Sequence, residues 1–265
     1  MKNHNVFKGA RFFQNVCMVA ALSSIVFVDA ALCSEIQDAA KVGDLAKVEA
    51  LLKSNPQLVN YYEATNTPPL LIALRERHIE VAQFLLANNA DVNYKVPWYS
   101  IYGGSTALHT SALSGYVEGV ALLLKYHANI NATNDAGQTP LHVATHLGRT
   151  EVAKLLLDNH ADVSIKDNEG KTPLLIAVQW WRVEIIRWLI ADHADVNTKD
   201  KAGQTPLHIA VQGQQTDIVK MLLAAGADTK AMNDEGQTPL QLAKSLDKSI
   251  DEKEIEALLQ KNSGK

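Results

Sequence analysis

Cysteine is nearly absent from this chain of 265 residues. The two cysteines, Cys17 and Cys33, both lie near the N-terminus. No disulfide can therefore form within the rest of the chain, and no Cys/His spacing typical of a structural zinc site occurs there. We expect the fold to be held by packing alone, with no metal and no other cofactor.

Motifs for catalysis are missing as well. The sequence has no G-x-S-x-G, no H-E-x-x-H, no Walker loop and no glycine cluster of the dinucleotide-binding type. Carboxylate pairs such as Asp251 and Glu252 lie in a strongly charged C-terminal segment, which is typical of solvated surface. We predict a protein that is not an enzyme.

Positive charge is also in short supply. The formal net charge is −4, and without residues 1–30, which carry a net charge of +2, it becomes −6. A mildly acidic surface repels phosphate backbones. Nucleic acid is therefore not expected as a partner.

The first 30 residues differ in character from the rest of the chain. Three basic residues precede an apolar run from Val16 to Val28, and small residues follow. This order is typical of a secretory signal peptide. We predict a signal peptide at 1–30 with cleavage after Ala30, or alternatively after Cys33. The apolar run is short for a bilayer span, which needs about 20 residues, but an uncleaved anchor stays open as an alternative.

A short phrase recurs at a fixed distance through the remaining sequence. Its threonine returns every 33 residues, at Thr106, Thr139, Thr172, Thr205 and Thr238. Pro68 and Ser34 occupy the same position in two earlier copies, spaced 38 and 34 residues from the next. A period of this length predicts a solenoid of stacked repeats. We expect seven repeats over residues 34–262, starting near 34, 68, 106, 139, 172, 205 and 238 and numbered 1 to 7 below.

Each residue type in the phrase has a mechanical reason to be there. Thr139 can cap a helix, and Pro140 suits the first helical position because it loses no hydrogen bond there. Gly148 suits the left-handed end of this first helix. A second helix follows, in which Leu155 and Leu156 are predicted to face the core. The pattern predicts an all-α solenoid of helix pairs joined by polar turns.

The first repeat begins differently from the others. Ser34 and Gln37 have the spacing of a capping box, with charged residues nearby. We predict that this repeat caps the array at a helix start, as terminal repeats of solenoids do.

The phrase reads TPLHVA at 139 and TPLHIA at 205, with weaker copies at 106, 172 and 238. A second phrase, such as NHADVS at 159 and DHADVN at 192, closes each copy. The chain therefore resembles the ankyrin repeat, which implies a β-turn and two antiparallel helices in each copy. The resemblance also implies that His109, His142 and His208 form structural hydrogen bonds between neighbouring turns rather than binding a metal.

Proteins with ankyrin repeats usually bind their partners at the turn tips and at the exposed ends of the first helices, along the concave face. The resemblance implies the same location here. These helix positions fall seven and eight residues after the aligned threonine. Candidate partner-binding residues there are Leu113, His146, Leu147, Gln179 and Trp180. The apolar members of this set predict a protein-binding strip.

Two further aromatic features depart from the repeat. An insertion of five residues widens the connection at 94–104 into a finger, in which Trp98, Tyr99 and Tyr102 are candidate anchors for a partner. Equally, such aromatics can fold back over their own repeats.

Trp181 stands where two neighbouring repeats have glycine, Gly115 and Gly148. It could face a partner or seal a helix end. Trp188 aligns with Leu155 and is predicted to lie in the core.

The sequence thus predicts an exported, non-catalytic protein-binding scaffold, monomeric and not bound to a membrane after signal cleavage. The N-terminal segment favours the periplasm of a Gram-negative bacterium or secretion from it. Two alternatives stay open: an ankyrin-type effector released to act on host proteins, and a small-ligand binder or enzyme built on the aromatic cluster.

Overall fold

The computed structural model describes residues 16–21, 24–62, 67–97, 103–246 and 250–262. The chain forms two compact units, Met1–Asn129 and Ile130–Lys265. Repeats 4, 5, 6 and 7 belong to the second of these, the C-terminal unit.

The N-terminal unit begins with an antiparallel hairpin of strand β1 (Val16–Ala21) and strand β2 (Ser24–Asp29). The helices that follow are α1 (Ala30–Val42), α2 (Leu45–Ser54), a 3-10 helix (Pro56–Asn60), α3 (Pro69–Arg75), α4 (Ile79–Ala87), α5 (Ala107–Ser114) and α6 (Val117–Lys125). The hairpin occupies the apolar run for which a signal peptide is predicted. It does not test export or cleavage, which stay predictions.

The C-terminal unit contains helix pairs from each of its repeats. Its helices are α7 (Pro140–Leu147), α8 (Thr150–Asp158), α9 (Pro173–Gln179), α10 (Val183–Ala191), α11 (Pro206–Gln212), α12 (Thr216–Ala224), α13 (Pro239–Ser245) and α14 (Ile250–Asn262). Strands are confined to the hairpin before residue 30 in the part of the chain that the structure describes. The prediction of an all-α repeat fold is therefore confirmed.

Helix starts and ends follow the predicted chemistry. The Thr139 side chain accepts a hydrogen bond from the backbone of His142, and Pro140 is the first residue of α7. Gly148 ends the helix with φ +65°, in the left-handed region that glycine enters without a Cβ clash. Local sequence alone therefore sets the bounds of this helix.

Leucine and alanine at fixed positions of the first helices form the core of the C-terminal unit. Helix α7 packs against α9, α9 against α11, and α11 against α13. Leu141, Leu174 and Leu207 are completely buried in these contacts, as are the alanines three residues after each. Burying one leucine side chain contributes about 1.5–3 kcal/mol, and the small alanines let neighbouring helices approach closely.

Two predictions made from the sequence are wrong, one on the start of the first helix and one on the core of the second helices. Ser34 lies inside α1, which begins at Ala30, so it does not cap a helix start. Gln37 donates instead from Nε2 to the carbonyl of Thr67, at 3.0 Å. Its amide therefore ties the first repeat to the second, a longer-range role than the capping box that its spacing predicts.

The second correction concerns the second helices. Leu155 and Trp188 are only half-buried, whereas Leu156 and Leu157 are buried. The ammonium of Lys154 lies 5.8 Å from the centre of the Trp188 ring. Trp188 therefore lies at the margin of the core, where its ring is open to a cation, because helix α10 turns a neighbouring position, Leu189, fully inward.

No helix within the described ranges combines the length and the apolar character that a bilayer crossing requires.

Candidate functional site

His142 and His208 make the structural hydrogen bonds between repeats that the resemblance implies. His142 Nδ1 accepts from the backbone N–H of Thr139 at 3.2 Å, and its Nε2–H donates to the carbonyl of Lys171 in the next repeat at 3.1 Å. His208 repeats this arrangement with Thr205 and Gln237. These rings therefore fasten one repeat to the next, and their nitrogens are already engaged.

The protonation state of these histidines follows from their burial. Desolvation lowers the pKa of His142 and of His208 below the usual 6.5. Both rings are therefore neutral at pH 7, as one accepting and one donating nitrogen requires. Among the residues that the structure describes, no three His, Cys, Asp or Glu side chains are grouped as metal ligands.

An exposed aromatic surface lies where α7 and α9 end. We name it the Trp patch and define it by five residues: His146, Leu147, Gln179, Trp180 and Trp181. Leu147 is 40% exposed, Trp180 46% and Trp181 64%. All three rank among the most exposed large apolar side chains of the described structure. Four of the five patch residues are candidates from the sequence, and the structure brings them together.

Contacts within the Trp patch hold some of its side chains in place. The rings of His146 and Trp180 lie 4.8 Å apart between centroids, tilted by 39°. Gln179 Oε1 accepts from Lys171 Nζ at 3.0 Å, and the same ammonium pairs with Glu169 at 2.9 Å. The polar rim therefore orients the edge of the patch while the indole of Trp180 stays partly open to solvent.

Trp181 has the most unusual backbone of the patch. Its φ is +58°, close to the +65° of Gly148 nine residues after the corresponding threonine of repeat 4. The left-handed conformation brings a Cβ too close to the following carbonyl and costs about 1–2 kcal/mol for a residue other than glycine. Packing of the Trp181 side chain offsets little of this free-energy cost, because most of the indole faces solvent.

Arg182 secures the joint between repeats 4 and 5 beside the patch. Its Nη2 donates to the carbonyl of His146 at 2.9 Å. A Cβ placed on Gly148 would lie 2.8 Å from the guanidinium carbon of Arg182. Glycine at this position adopts the positive φ without a Cβ clash and leaves room for the guanidinium.

An open groove of about 430 Å³ lies beside Trp181. Trp181 and Val183 line it from repeat 5, and Gln215, Asp217 and Lys220 line it from the start of α12. Glu254 of α14 also lines it. The groove lies between repeats 5 and 6, entirely within the C-terminal unit.

The remaining candidates belong to the N-terminal unit. Leu113 is 40% exposed at the end of α5. Trp98, Tyr99 and Tyr102 lie outside the described residues, so their role in the finger stays a prediction.

The base of the finger is well defined. The Val96 N–H donates to the Ser105 carbonyl at 2.9 Å, and the Gly104 N–H donates to the Val96 carbonyl at 2.7 Å. The Tyr94 ring lies against the Tyr62 ring, with centroids 5.1 Å apart and planes tilted by 46°. At least one aromatic of the insertion therefore packs against its own repeats.

Sequence reasoning left Trp181 undecided and missed Arg182 and Asp217. The signal for Trp181 was present, because a tryptophan in a glycine position is conspicuous. Arg182 and Asp217 carry no such signal, since their importance comes from what the neighbouring repeat places beside them.

Comparison with known proteins gives one consistent result. Two family models described as ankyrin repeats match residues 36–134 and 127–200 in one case and 189–243 in the other. The probable E3 ubiquitin-protein ligase XBOS32 of Oryza sativa subsp. japonica is 34% identical over 98 residues, 36% of this chain and 18% of the ligase. The E3 ubiquitin-protein ligase XBAT33 of Arabidopsis thaliana is 36% identical over 94 residues, 35% of this chain and 17% of the ligase. The matches therefore span less than a fifth of either relative.

Among solved structures, the ankyrin repeat domain of Bcl-3 is similar to this chain with a TM-score of 0.76 and 25% sequence identity. The similarity covers 85% of this chain and 97% of the Bcl-3 domain.

Proposed function

Because the chain belongs to the ankyrin-repeat family, we propose that it is a non-catalytic scaffold that binds a partner protein through the Trp patch. The ubiquitin-ligase activity named for the plant relatives is not part of this proposal, since the match covers only 18% of XBOS32. Ankyrin repeats serve as protein-interaction modules, and in such a scaffold function resides where the repeats differ.

One observation carries the proposal: a tryptophan stands exposed at the turn position where two neighbouring repeats have glycine. The left-handed φ of +58° is a property of the repeat, because Arg77 and Gln214 hold a positive φ at the same position of repeats 2 and 6. The indole of Trp181 is 64% exposed and so adds little to the core. A large exposed aromatic that packing does not explain is typical of a surface for recognition.

The composition of the patch fits a binding surface for protein. Tryptophan is among the residues that contribute most to protein interfaces, because a rigid ring buries a large area at little cost in conformational entropy. Trp180 and Trp181 are adjacent, with Leu147 nearby on α7 and a polar rim of Gln179 and Lys171. An apolar centre with a polar rim is the usual anatomy of an interface.

The test replaces Trp181 with glycine, the residue that the backbone favours. Trp181→Gly should leave the fold intact and raise the free energy of unfolding by about 1 kcal/mol through relief of the left-handed strain. The same variant should lose the partner in affinity capture followed by binding of the purified candidate. Chemical denaturation and capture on one preparation measure both effects.

Met232→Ala is the matched control, because Met232 is 56% exposed in the same compact unit but lies outside the patch. A partner kept by this control and lost by Trp181→Gly supports the proposal. Partner binding that survives in Trp181→Gly and in Trp180→Ala contradicts it. A marked loss of stability in Trp181→Gly would show instead that the indole supports the fold.

We further propose that the chain is exported to the periplasm or secreted. The support is the order of basic residues, apolar run and small residues that ends at Ala30. Expression of the full chain in a Gram-negative host, with mass spectrometry of the N-terminus, tests this. Mature protein in the periplasmic fraction beginning at Ala31 is expected, and uncut protein retained in the cytoplasm contradicts the proposal.

A further inference from the structure

In three of the described joints between repeats, a side chain reaches back to the preceding repeat: His78, Tyr116 and Arg182. Each lies ten residues after the aligned position of its repeat. His78 Nε2 lies 3.0 Å from the carbonyl of Lys41, and Arg182 Nη2 lies 2.9 Å from that of His146. These contacts cover the end of the preceding first helix, where carbonyl groups lack partners within the helix.

Gln215 occupies the same position in repeat 6 but does not reach back. Its Nε2 turns toward its own repeat, where it would lie 2.6 Å from a Cβ on Gly213. Its Oε1 is buried without a hydrogen-bond partner. The space beside Trp181, equivalent to the space beside Gly148 that the Arg182 guanidinium fills, therefore stays open as the groove.

The charges around this groove favour a cation. The Asp217 side chain is 93% exposed at the groove, and its Oδ1 lies 4.0 Å from Lys220 Nζ, at the limit of an ion pair. Glu254 is engaged by Lys220 at 2.7 Å, and this ammonium is the one cationic side chain among the lining residues. The lining therefore carries one carboxylate more than it carries cations. The face of an indole attracts cations as well, with arginine the more frequent partner.

We propose that the groove binds an arginine side chain of the partner protein, stacked on Trp181 and paired with Asp217. The proposal rests on the proposed function of the Trp patch and names the chemical group that the patch recognises. Arginine fits better than lysine because its planar guanidinium stacks on an aromatic face while its N–H groups stay free for a carboxylate. Arg182, in the preceding joint, shows that a guanidinium fits beside this turn.

The test is a titration of the full chain, followed by NMR through the indole N–H of Trp181. The probe is Nα-acetyl-arginine N-methylamide, with the corresponding citrulline and lysine compounds as neutral and cationic comparisons. Trp181→Gly identifies the signal. We expect a saturable shift with a Kd in the millimolar range for arginine, as one stacked and paired side chain allows. The lysine compound should bind more weakly, and the citrulline compound should cause no saturable shift.

Two variants sharpen the result. Asp217→Asn should raise the Kd of the arginine compound about two- to fivefold, which corresponds to the loss of an exposed ion pair. Asp192→Asn, an exposed aspartate outside the groove, is its matched control and should change nothing. Gln215→Arg should fill the groove from within the chain, because it restores the guanidinium that repeat 5 carries. It should abolish the shift while the protein stays folded.

Several outcomes would overturn the inference. The first is that the Trp181 signal shows no saturable shift with the arginine compound up to about 50 mM. The second is that the citrulline compound binds as tightly as the arginine compound. The third is that Gln215→Arg binds the arginine compound as tightly as the unchanged chain does. Each leaves the proposed function standing if Trp181→Gly still loses the partner protein. Conversely, arginine binding without any loss of partner in Trp181→Gly would contradict the proposed function and not the groove.

Discussion

The joint between repeats 4 and 5 and the joint between repeats 5 and 6 differ in two side-chain hydrogen bonds at the first helix. In the first, His142 donates to the Lys171 carbonyl at 3.1 Å and Arg182 to the His146 carbonyl at 2.9 Å. Both bonds lie at the first helix. In the second joint the corresponding positions hold Leu175 and Gln215, and neither side chain makes such a bond.

The second joint has side-chain bonds at the far end of the repeat that the first joint lacks. Asn197 Oδ1 accepts from the backbone of Asp228 at 2.7 Å, and Asn197 Nδ2 donates to the Gly226 carbonyl at 3.3 Å. In the joint between repeats 4 and 5, Ser164 takes the place of this asparagine. Its hydroxyl turns back to Asp162 at 2.6 Å instead of reaching the next repeat.

The residue ten positions after the aligned threonine explains where the groove lies. In the joint between repeats 4 and 5 the Arg182 guanidinium lies against Gly148. In the joint between repeats 5 and 6 Gln215 turns away, and Trp181 and Gln215 line the open space. The asparagine bond alone does not open this space, because in the joint between repeats 1 and 2 the side chain of Asn60 bonds to the next repeat while His78 also reaches back.

The largest effect is expected from breaking the first-helix bond of the joint between repeats 4 and 5. His142→Leu introduces the residue that repeat 5 carries at this slot. It leaves the buried N–H of Thr139 and the carbonyl of Lys171 without their bonds to the ring. We expect a loss of about 2 kcal/mol in the free energy of unfolding, measured by urea denaturation.

Leu175→His is the reciprocal control for this substitution. Thr172 stands before it as Thr139 stands before His142, and the carbonyl of Gln204 matches that of Lys171. The new ring therefore has an acceptor in repeat 6, and its bond offsets the lost apolar burial. The change in stability should be clearly smaller than for His142→Leu, and an equal loss would show that the histidine bond is not what distinguishes the two joints.

A smaller effect is expected from pH. Burial lowers the pKa of His142 and His208 below 6.5 in the folded chain. As the pH falls below 6.5, the unfolded chain therefore binds more protons at these two histidines than the folded chain does. Their contribution is therefore present above pH 6.5 and is lost as the pH falls below it. The urea midpoint should decrease between about pH 7.5 and pH 5.5, and the decrease should be less steep in the His142→Leu/His208→Leu variant. An unchanged slope would show that other groups cause the dependence.

The smallest effect is expected from adding the asparagine bond that the joint between repeats 4 and 5 lacks. Ser164→Asn should let the side chain accept from the backbone of Asp195, as Asn197 does from Asp228. We expect a gain of about 1 kcal/mol. Asn197→Ser, the reciprocal change, should lose a similar amount. A gain from both or from neither would refute the comparison.

Much of the fold could be predicted because its determinants are local. Thr139 accepts from a residue three positions later, and Gly148 ends the helix through its own φ. The period of 33 residues then repeats this information five times. The structural role of His142 was predicted from the resemblance to the ankyrin repeat, and the carbonyl that it binds lies 29 residues away, as does the one that His208 binds.

The prediction failed where a contact depends on one particular neighbour. Ser34 and Gln37 match a capping box in spacing, yet α1 starts earlier and the amide binds Thr67 instead. Trp188 aligns with a leucine that is itself only half-buried. Spacing along the chain cannot show how far a helix extends or how deeply it packs.

The sequence by itself therefore determined the repeat, its helix pairs and the threonine caps of its first helices, because these depend on short-range geometry copied many times. Only the tertiary structure decided that Trp181 is held in a left-handed turn with its ring in solvent. It alone decided that Gln215 turns away, and that Asp217 faces the open space. Each of these depends on how one repeat fills, or fails to fill, the space left by the next. That balance of packing is a property of pairs of repeats, and no single repeat encodes it.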